Sequence, residues 1–434
     1  MHSYFVDGKI KGKQRKTKKE VYMSAIKFIH AADLHLDSPF LGLKHMPAKL
    51  FEKVRESTFT SFSNIITYAI KEKVDFILLS GDLYDEDERS LKAQLKLKKE
   101  FERLAEKDIQ VYIIHGNHDH MGGKWLDLVW PENVHVFSSR KVEVKEFIKN
   151  QIPTAYIYGY SYPERAVHEN ITSQYNKIEN PNVFHIGMLH GSAEGNKEHD
   201  VYCPFKINDL ISKDFDYWAL GHIHKRQVLH EAHPVIAYPG NIQGRHRKET
   251  GRKGCYLVEM EEGKVTNTFV PTEVIRWEEI DVSINKCRNL SELIQACERS
   301  VENLKRQNKA ICLTISFVDS GELATELNSQ DLVEDLLDVL NEQQNDQENF
   351  VWVVKIIDRT IKPRTSSQKL STFYQDLENT IDSYDEFDEV IEPLKKNPLF
   401  RKYISGYTLE EQKQLLKKAE QLLHRELLQH HEHK

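Results

Sequence analysis

Five short segments of the 434-residue chain share one design, in which an apolar run typical of a buried β-strand ends and metal-ligating side chains follow at once. Helical patterns separate the early runs, so the sequence predicts an α/β fold with a largely parallel sheet. In such sheets functional groups gather at the carboxyl ends of the strands, so we expect the five segments to converge. They are ADLHLD (32–37), SGDLYD (80–85), HGNHDH (115–120), GMLHG (187–191) and LGHIHK (220–225).

The spacing within these segments suits metal binding. Asp33 and His35 are separated by one residue, so in an extended backbone their side chains point the same way, and His222 and His224 repeat this arrangement. Asp82 follows a glycine, which permits a sharp turn. Carboxylate, imidazole and amide oxygen without sulfur favour Mn, Fe or Zn over Cu(I) or an iron–sulfur cluster.

Each segment also has an ordinary structural explanation. A single Asp-x-His pair is usually a surface turn, and His190 alone is compatible with a hydrogen-bonded core histidine. His30 and His115 lie on the predicted strands themselves, and we interpret them as core residues of that kind. Five such segments at successive strand ends are not expected by chance, so together they predict a metal site.

The chain is too long for a single hydrophobic core. Its pattern changes near residue 271, where alternating strands and helices give way to a smaller unit and then to helical sequence. We therefore predict four segments: a basic, disordered extension (1–23), an α/β domain that carries the five segments (24–272), a small α+β domain (273–363) and a helical C-terminal region (364–434).

Two helices are predicted in more detail because of their apolar stripes. Ser90 is expected to cap the first, whose stripe consists of Leu91, Leu95, Phe101 and Leu104. The second begins at Thr408 with Glu411 as its capping partner. Its stripe consists of Leu416, Ala419, Leu423 and Leu427.

Composition limits the classes of function. The net charge of −7 argues against bulk attraction to nucleic acid or anionic membrane, so any contact with DNA requires a local basic patch. No run reaches the length of a membrane span, and the five cysteines are odd in number without C-x-x-C spacing. These features predict a cytoplasmic protein with reduced cysteines in its core.

The ordered set of Asp-x-His, Gly-Asp, Gly-Asn-His-Asp, a lone His and Gly-His-x-His resembles the calcineurin-like metallophosphoesterases over roughly residues 24–272. Within that superfamily the chain is similar to the SbcD-type DNA-repair exonuclease subunits. Two stretches, HAADLHLDSPF and YPGNIQGRHRKETGRKGCYLVE, resemble the YhaO-like branch. The resemblance implies a catalytic domain built as a four-layer αββα sandwich, followed by a capping domain (273–363) and a partner-binding helical C-terminus.

The resemblance also implies residue roles. One divalent ion, with Mn expected and Fe or Zn as alternatives, would be held by Asp33, His35, Asp82 and His224. A second would be held by Asp82, Asn117, His190 and His222, so that Asp82 bridges the two. His118 resembles the family's general acid, and Asp119 is expected to orient its ring.

The implied function is that of a dinuclear metal-dependent phosphodiesterase, acting as an exonuclease or endonuclease subunit in DNA repair. DNA ends or single strands, an SbcC-type ATPase and a second copy of the chain are the expected partners, and no membrane is. Two alternatives remain open. One is a phosphatase or phosphodiesterase for nucleotides or phosphoproteins, and the other is a non-catalytic scaffold subunit of an ATPase complex.

Asp85 departs from the family pattern, and the basic loop 244–253 allows two interpretations. Where better-known nucleases of the family carry a second active-site histidine, this chain has Asp85, which either caps the following helix or holds a metal ligand or water. In both cases we expect a nuclease that prefers single-stranded or frayed ends. The loop 244–253 carries five Lys or Arg, and it is either a DNA-phosphate contact, with His246 as a weaker candidate, or a solvated hairpin tip.

Overall fold

The protein is described here from a computed structural model. The described residues are 24–361 except 41, 44, 86–89, 124–127, 196–200, 262 and 343–348, together with scattered positions between 376 and 423. The predicted basic extension (1–23) and the linker at 362–368 lie outside the described residues. The chain divides into two compact units between Trp277 and Glu278.

The first unit contains two six-stranded sheets built from its described residues. The strands are β1 (Ile26–Ala31), β2 (Phe76–Ser80), β3 (Gln110–Ile114), β4 (Val134–Val136), β5 (Glu143–Lys149), β6 (Ile152–Gly159), β7 (Phe184–His190), β8 (Tyr217–Gly221), β9 (Gln227–His230), β10 (Val235–Tyr238), β11 (Gly254–Glu261) and β12 (Lys264–Pro271). One sheet has the order β12-β11-β1-β2-β3-β4, and the other has the order β5-β6-β7-β8-β10-β9.

The centres of both sheets are parallel, as the alternating pattern predicts. Strands β1 to β4 run parallel to one another, and so do β6, β7, β8 and β10. The antiparallel partners are β11 and β12 in the first sheet and β5 and β9 in the second. The carboxyl ends of these eight parallel strands therefore lie at one edge of each sheet.

Three apolar cores join four layers in this unit. Helices α1 (Ala48–Arg55), α2 (Ser57–Glu72) and α3 (Leu91–Ala105) pack on the outer face of the first sheet, and the two sheets pack face to face. The 3-10 helix Ile171–Gln174 and α4 (Ile207–Ile211) cover the second sheet. This arrangement confirms the predicted αββα sandwich.

Helix α3 confirms one detail of the sequence analysis and corrects another. Ser90 is its cap, since the Ser90 hydroxyl accepts the N–H of Ala93 at 3.0 Å. Phe101 and Leu104 are buried, but Leu91 is 55% exposed and Leu95 is 48% exposed. These two leucines lie two positions before the buried Ala93 and Leu97, which is about 200° around the helix.

The second unit holds a three-stranded sheet of order β13-β14-β15, whose first strand begins just before the division. Its strands are β13 (Ile275–Ser283), β14 (Ala310–Val318) and β15 (Val351–Asp358), and it packs on α5 (Leu290–Lys305) and α6 (Gln330–Asn341). Two 3-10 helices, Glu322–Ala324 and Glu326–Asn328, precede α6, and α7 (Phe387–Val390) and α8 (Glu392–Lys395) follow the sheet. This unit is α+β, as predicted.

The cysteines and the helices of the described residues have two further features. All five cysteines are buried and unpaired, as expected for reduced core thiols. No helix in the described part of the chain is both long and apolar enough to cross a membrane.

Candidate metal centre

The loops that follow β1 and β2 are held together by backbone hydrogen bonds beyond the ends of the strands. The N–H of Asp33 donates to the carbonyl of Gly81 at 3.1 Å, and the N–H of His35 donates to the carbonyl of Asp82 at 3.0 Å. The tip of β8 joins them, because the N–H of His222 donates to the Asp33 carboxylate at 3.0 Å. Three of the five predicted segments are thus connected through main-chain groups.

Four of the predicted metal ligands have strained backbones. The φ angles are 52° at Asp33, 41° at His35, 53° at Asp82 and 98° at His222, all in the left-handed region that residues with a Cβ rarely adopt. Each such residue costs on the order of 1–3 kcal/mol and persists where the surroundings enforce it. Backbone strain of this kind is found at functional sites, where the surrounding structure enforces it.

One group of donors contains Asp33, His35 and His224. The Nε2 atoms of the two histidines lie 3.1 Å apart, and the ligand atoms of all three residues lie within 4.8 Å of one another. Asp33 and His35 are buried. We call this group the A cluster.

A second group, which we call the B cluster, contains Asp82, His190 and His222, all buried. The Oδ1 atom of Asn117 lies 3.1 Å from Nε2 of His190 and 3.2 Å from Nδ1 of His222. His190 is oriented by its other nitrogen, since Nδ1 donates to the carbonyl of Ser80 at 2.9 Å. The structure therefore brings together all seven residues predicted as metal ligands.

Asp82 lies between the two clusters. Its Oδ2 atom is 3.4 Å from Nε2 of His190 and 3.9 Å from Nε2 of His35. Its Oδ1 atom is engaged separately, as the acceptor of the N–H of His118 at 2.9 Å. One carboxylate oxygen is thus left facing both clusters.

The electrostatics of the site fit divalent cations. Burial, together with the nearby Asp82 carboxylate, raises the pKa of Asp33 to about 7, against the lowering effect of His190. The pKa of Asp82 is low in spite of burial because of His190, and Asp82 outweighs burial to raise the pKa of His190 to about 9. Buried, converging carboxylates and imidazoles without a thiolate form a donor set suited to divalent ions of the Mn, Fe and Zn type.

Close packing around the donors depends on two glycines. A Cβ at Gly81 would lie 2.4 Å from Nδ1 of His190, and a Cβ at Gly116 would lie 2.4 Å from Oδ1 of Asp82. Gly81 also has a φ of 90°. The glycines of the second and third segments therefore allow the donors to approach the backbone, in agreement with the predicted role of the glycine before Asp82.

The described contacts of Asp119 are with residues other than His118, which Asp119 was predicted to orient. Its carboxylate lies 2.9 Å from Nδ1 of His115 and accepts the N–H groups of Gly116, Asp82 and Leu83 at 2.7, 3.2 and 2.9 Å. Both of its oxygens accept hydrogen bonds from the residues that follow β2 and β3, and none of these bonds involves His118. Asp119 is therefore a buried structural carboxylate.

His118 is oriented by a different group. Its Nδ1 atom lies 2.6 Å from the backbone carbonyl of Asp85 and donates to it, which leaves Nε2 as the nitrogen available for chemistry. His118 is half-buried, and its ring centroid lies 4.9 Å from that of His35. His118, His35 and Asp82 also form a third group of converging donors.

Asp85 does not cap α3, because Ser90 does. One carboxylate oxygen of Asp85 lies 3.0 Å from Nδ1 of His35, and it also accepts a hydrogen bond from Nη1 of Arg245. The hydroxyl of Ser38 donates to the other oxygen at 3.2 Å. Asp85 therefore contacts a predicted metal ligand, which is the second of the two roles considered for it.

The loop 244–253 divides its basic residues between two environments. Arg245 and Lys253 face inward: Arg245 pairs with Asp85, and the Lys253 ammonium donates to the carbonyl of His224 at 3.2 Å. Arg247 is half-buried, whereas Lys248 and Arg252 are exposed. Sequence reasoning missed Glu249, a buried carboxylate within this basic run that lies 2.7 Å from Nδ1 of His224.

Comparison with known proteins agrees with this geometry. Residues 26–226 match the family model for calcineurin-like phosphoesterases, and residues 277–361 match that for the middle domain of metallophosphoesterase YhaO. The chain is 43% identical over 405 residues to the uncharacterized metallophosphoesterase YhaO of Bacillus subtilis (strain 168), covering 93% of this chain and 98% of that protein.

More distant relatives carry names that refer to nucleic acids. The chain is 28% identical over 280 residues to a subunit of the nuclease SbcCD of Staphylococcus epidermidis, covering 58% of this chain and 71% of that protein. It is 23% identical over 360 residues to the DNA double-strand break repair protein Mre11 of Sulfolobus acidocaldarius, covering 81% of this chain and 89% of that protein. Fold, converging donors and similarity over nearly the whole chain lead to one conclusion: the protein belongs to the calcineurin-like metallophosphoesterases, in the branch represented by YhaO.

Proposed function

We propose that this protein is a dinuclear, divalent-metal-dependent phosphodiesterase that cleaves DNA as the nuclease component of a repair complex. The observation that carries the proposal is the position of Asp82. One oxygen of this residue faces both the A cluster and the B cluster, at 3.9 and 3.4 Å from their nearest histidine nitrogens. A carboxylate so placed is suited to bridge two ions, and paired ions are typical of enzymes that hydrolyse phosphate esters.

The proposed ligands divide along the observed clusters. Asp33, His35 and His224 would hold one ion, and Asn117, His190 and His222 would hold the other, with Asp82 shared. Two metal ions bound there would act as Lewis acids on a phosphate ester and would activate a water molecule. The family uses divalent ions, and we propose Mn for this protein, with Fe and Zn as alternatives.

His118 is proposed as the proton donor to the leaving oxygen. Its Nδ1–H is committed to the Asp85 carbonyl, which fixes the ring and directs proton exchange to Nε2. The ring is only half-buried, so a substrate can reach it. A histidine held by one nitrogen and available at the other is the arrangement that general acid catalysis requires.

Two observations favour DNA as the substrate. The relatives named above include a nuclease component and a DNA break repair protein. In addition, the half-buried Arg247 and the exposed Lys248 and Arg252 lie on the loop whose Glu249 contacts His224 of the A cluster. Cations in such a position can contact backbone phosphates without reading bases, as a nuclease without sequence preference requires.

Hydrolysis of bis(p-nitrophenyl) phosphate tests the reaction class. We expect activity that Mn stimulates and a chelator abolishes, whereas a scaffold protein would show none above background. A matched panel of labelled DNA, cyclic nucleotides and phosphopeptides then tests the substrate. Preference for either of the latter two over DNA would replace the nuclease function with the alternative phosphatase or nucleotide phosphodiesterase function.

We predict that the protein cleaves single-stranded or frayed ends faster than blunt duplex. The position of Asp85 offers a carboxylate where a histidine could donate a hydrogen bond to the phosphate, so a flexible strand is better able to adjust to the site. Initial rates on one labelled sequence, single-stranded and as blunt duplex, measure the preference. Equal rates would contradict it. Asp85→His is not a useful variant here, because it would place an imidazole against both His35 and Arg245.

The region 364–434 is proposed to bind an SbcC-type ATPase, and a homodimer and a cytoplasmic location are proposed with it. Leu427 of the predicted stripe lies outside the described residues, while Leu416 is half-buried and Ala419 and Leu423 are exposed, the latter by 46%. Exposed apolar side chains in series are typical of a docking surface. The boundaries of the four predicted segments likewise stay a proposal.

Truncation before Pro363 is predicted to leave phosphodiesterase activity unchanged and to abolish co-purification with a co-expressed SbcC-type ATPase. The reason is that every proposed ligand lies before residue 225, whereas the stripe lies beyond the truncation. Leu423→Glu should weaken association in the full chain, and Leu91→Glu, at another exposed leucine, is the matched control. Undiminished association of the truncated chain would rule the proposal out.

A further inference from the structure

Glu249 is a buried carboxylate whose oxygens are both engaged within the first unit. One oxygen lies 2.7 Å from Nδ1 of His224. The other accepts the side-chain amide of Asn241 at 2.9 Å and the N–H of Arg245 at 2.7 Å. Glu249 therefore places a carboxylate oxygen against Nδ1 of His224, on the side of the ring away from the A cluster.

Asp85 occupies the equivalent place behind the other histidine of that cluster. Its carboxylate lies 3.0 Å from Nδ1 of His35, while Nε2 of His35 faces Nε2 of His224 at 3.1 Å. Both histidines of the A cluster thus point Nε2 inward and rest Nδ1 against a carboxylate.

Arg245 connects the two carboxylates. Its Nη1 donates to Asp85, and its Nη2 lies 3.5 Å from Glu249 and 3.4 Å from Nδ1 of His224. The side chain of Arg245 is 13% exposed, so the guanidinium is largely enclosed by these partners. A single cation therefore ties the loop after β2, which carries Asp85, to the loop 244–253, which carries Glu249.

The B cluster is supported in a different way. The Nδ1 atom of its His190 donates to the backbone carbonyl of Ser80, which carries no formal charge. An anion behind a ligating imidazole raises the basicity of the ligand and fixes its tautomer and ring orientation, and loss of such a partner typically weakens metal affinity about 10–100-fold. The two clusters are thus expected to depend on different residues.

We infer that Glu249 and Asp85 are positioning residues for the ion of the A cluster alone, and that Arg245 ties them into one unit. This inference rests on the proposed dinuclear function and deepens it, because it assigns a separate set of supporting residues to one ion of the pair. Glu249 and Arg245 both belong to the loop 244–253, and each contacts the back of His224. The metal affinity of the A cluster therefore depends on the loop 244–253, although this loop supplies no metal ligand.

The test uses the full-length protein, stripped of metal and titrated with Mn(II). Calorimetry gives the affinity and number of ions, and electron paramagnetic resonance distinguishes a coupled ion pair from an isolated ion. Glu249→Gln and Asp85→Asn are each expected to lower the affinity for one Mn(II) ion about 10–100-fold. The affinity for the other ion should stay within about threefold of the wild-type value. At Mn concentrations that saturate the wild type, the two variants should show the electron paramagnetic resonance spectrum of an isolated ion, whereas the wild type shows that of a coupled pair.

Glu273→Gln is the matched control, because Glu273 is another buried carboxylate of the first unit, and it accepts Nη2 of Arg276 at 2.7 Å. It should leave both ions unchanged. If Glu249→Gln and Asp85→Asn bind both ions as the wild type does, or weaken both equally, the inference is overturned while the dinuclear function stands. If the wild type binds fewer than two ions, the dinuclear function fails and the inference fails with it.

Discussion

Asp82→Ala is expected to remove both metal ions and to reduce phosphodiesterase activity to background. Asp82 is the carboxylate that turns one oxygen to both clusters, so its loss takes a ligand from each of them. The substitution also leaves the N–H of His118 without its acceptor.

Metal content measured by mass spectrometry after equilibration with Mn(II), alongside hydrolysis of bis(p-nitrophenyl) phosphate, checks this result. Asp75→Ala is the matched control, since Asp75 directly precedes the same strand, β2, and accepts the N–H of Lys27 at 2.8 Å. That variant should lose some stability and keep two ions. Retention of even one ion at wild-type affinity by Asp82→Ala would contradict the shared position of this carboxylate.

The convergence of the seven proposed ligands could be predicted from sequence because the interactions that place them are local. Each donor lies within a few residues of a strand end, and parallel strands bring their ends to one edge whatever the loops do. His30 could be placed for the same reason: it lies within β1 and bonds the hydroxyl of Tyr217 at 2.9 Å, as a core histidine should. Position along the strand thus separates it from His35, which lies beyond the strand end.

The contacts that support the ligands could not be predicted in this way. Arg245 and Asp85 are 160 residues apart in the chain, and no spacing rule relates them. Glu249 could not be identified from sequence, because it lies in a basic run. Such a run predicts a solvated or phosphate-binding loop and does not indicate a buried carboxylate. Asp119 was assigned to the adjacent His118, whereas the turn geometry directs its carboxylate back to Gly116 and the tip of β2.

His118→Ala is expected to retain both ions and to lose about 10²–10⁴-fold in the rate of DNA cleavage, the usual contribution of a general acid. A sugar oxygen is a poor leaving group and needs a proton as its bond to phosphorus breaks. The p-nitrophenolate ion leaves readily without one. The same variant should therefore lose far less activity on bis(p-nitrophenyl) phosphate than on DNA.

This difference between substrates separates three roles for His118. Its ring lies beside His35 and Asp82, so a ligand role is the main competitor, and it predicts loss of metal together with loss of both activities. A role in holding substrate predicts equal losses on both substrates with metal retained. His120→Ala, in the same turn, is the control and should change none of the three measurements. Only a proton donor gives a variant that keeps its metal, cleaves the nitrophenyl ester and fails on DNA.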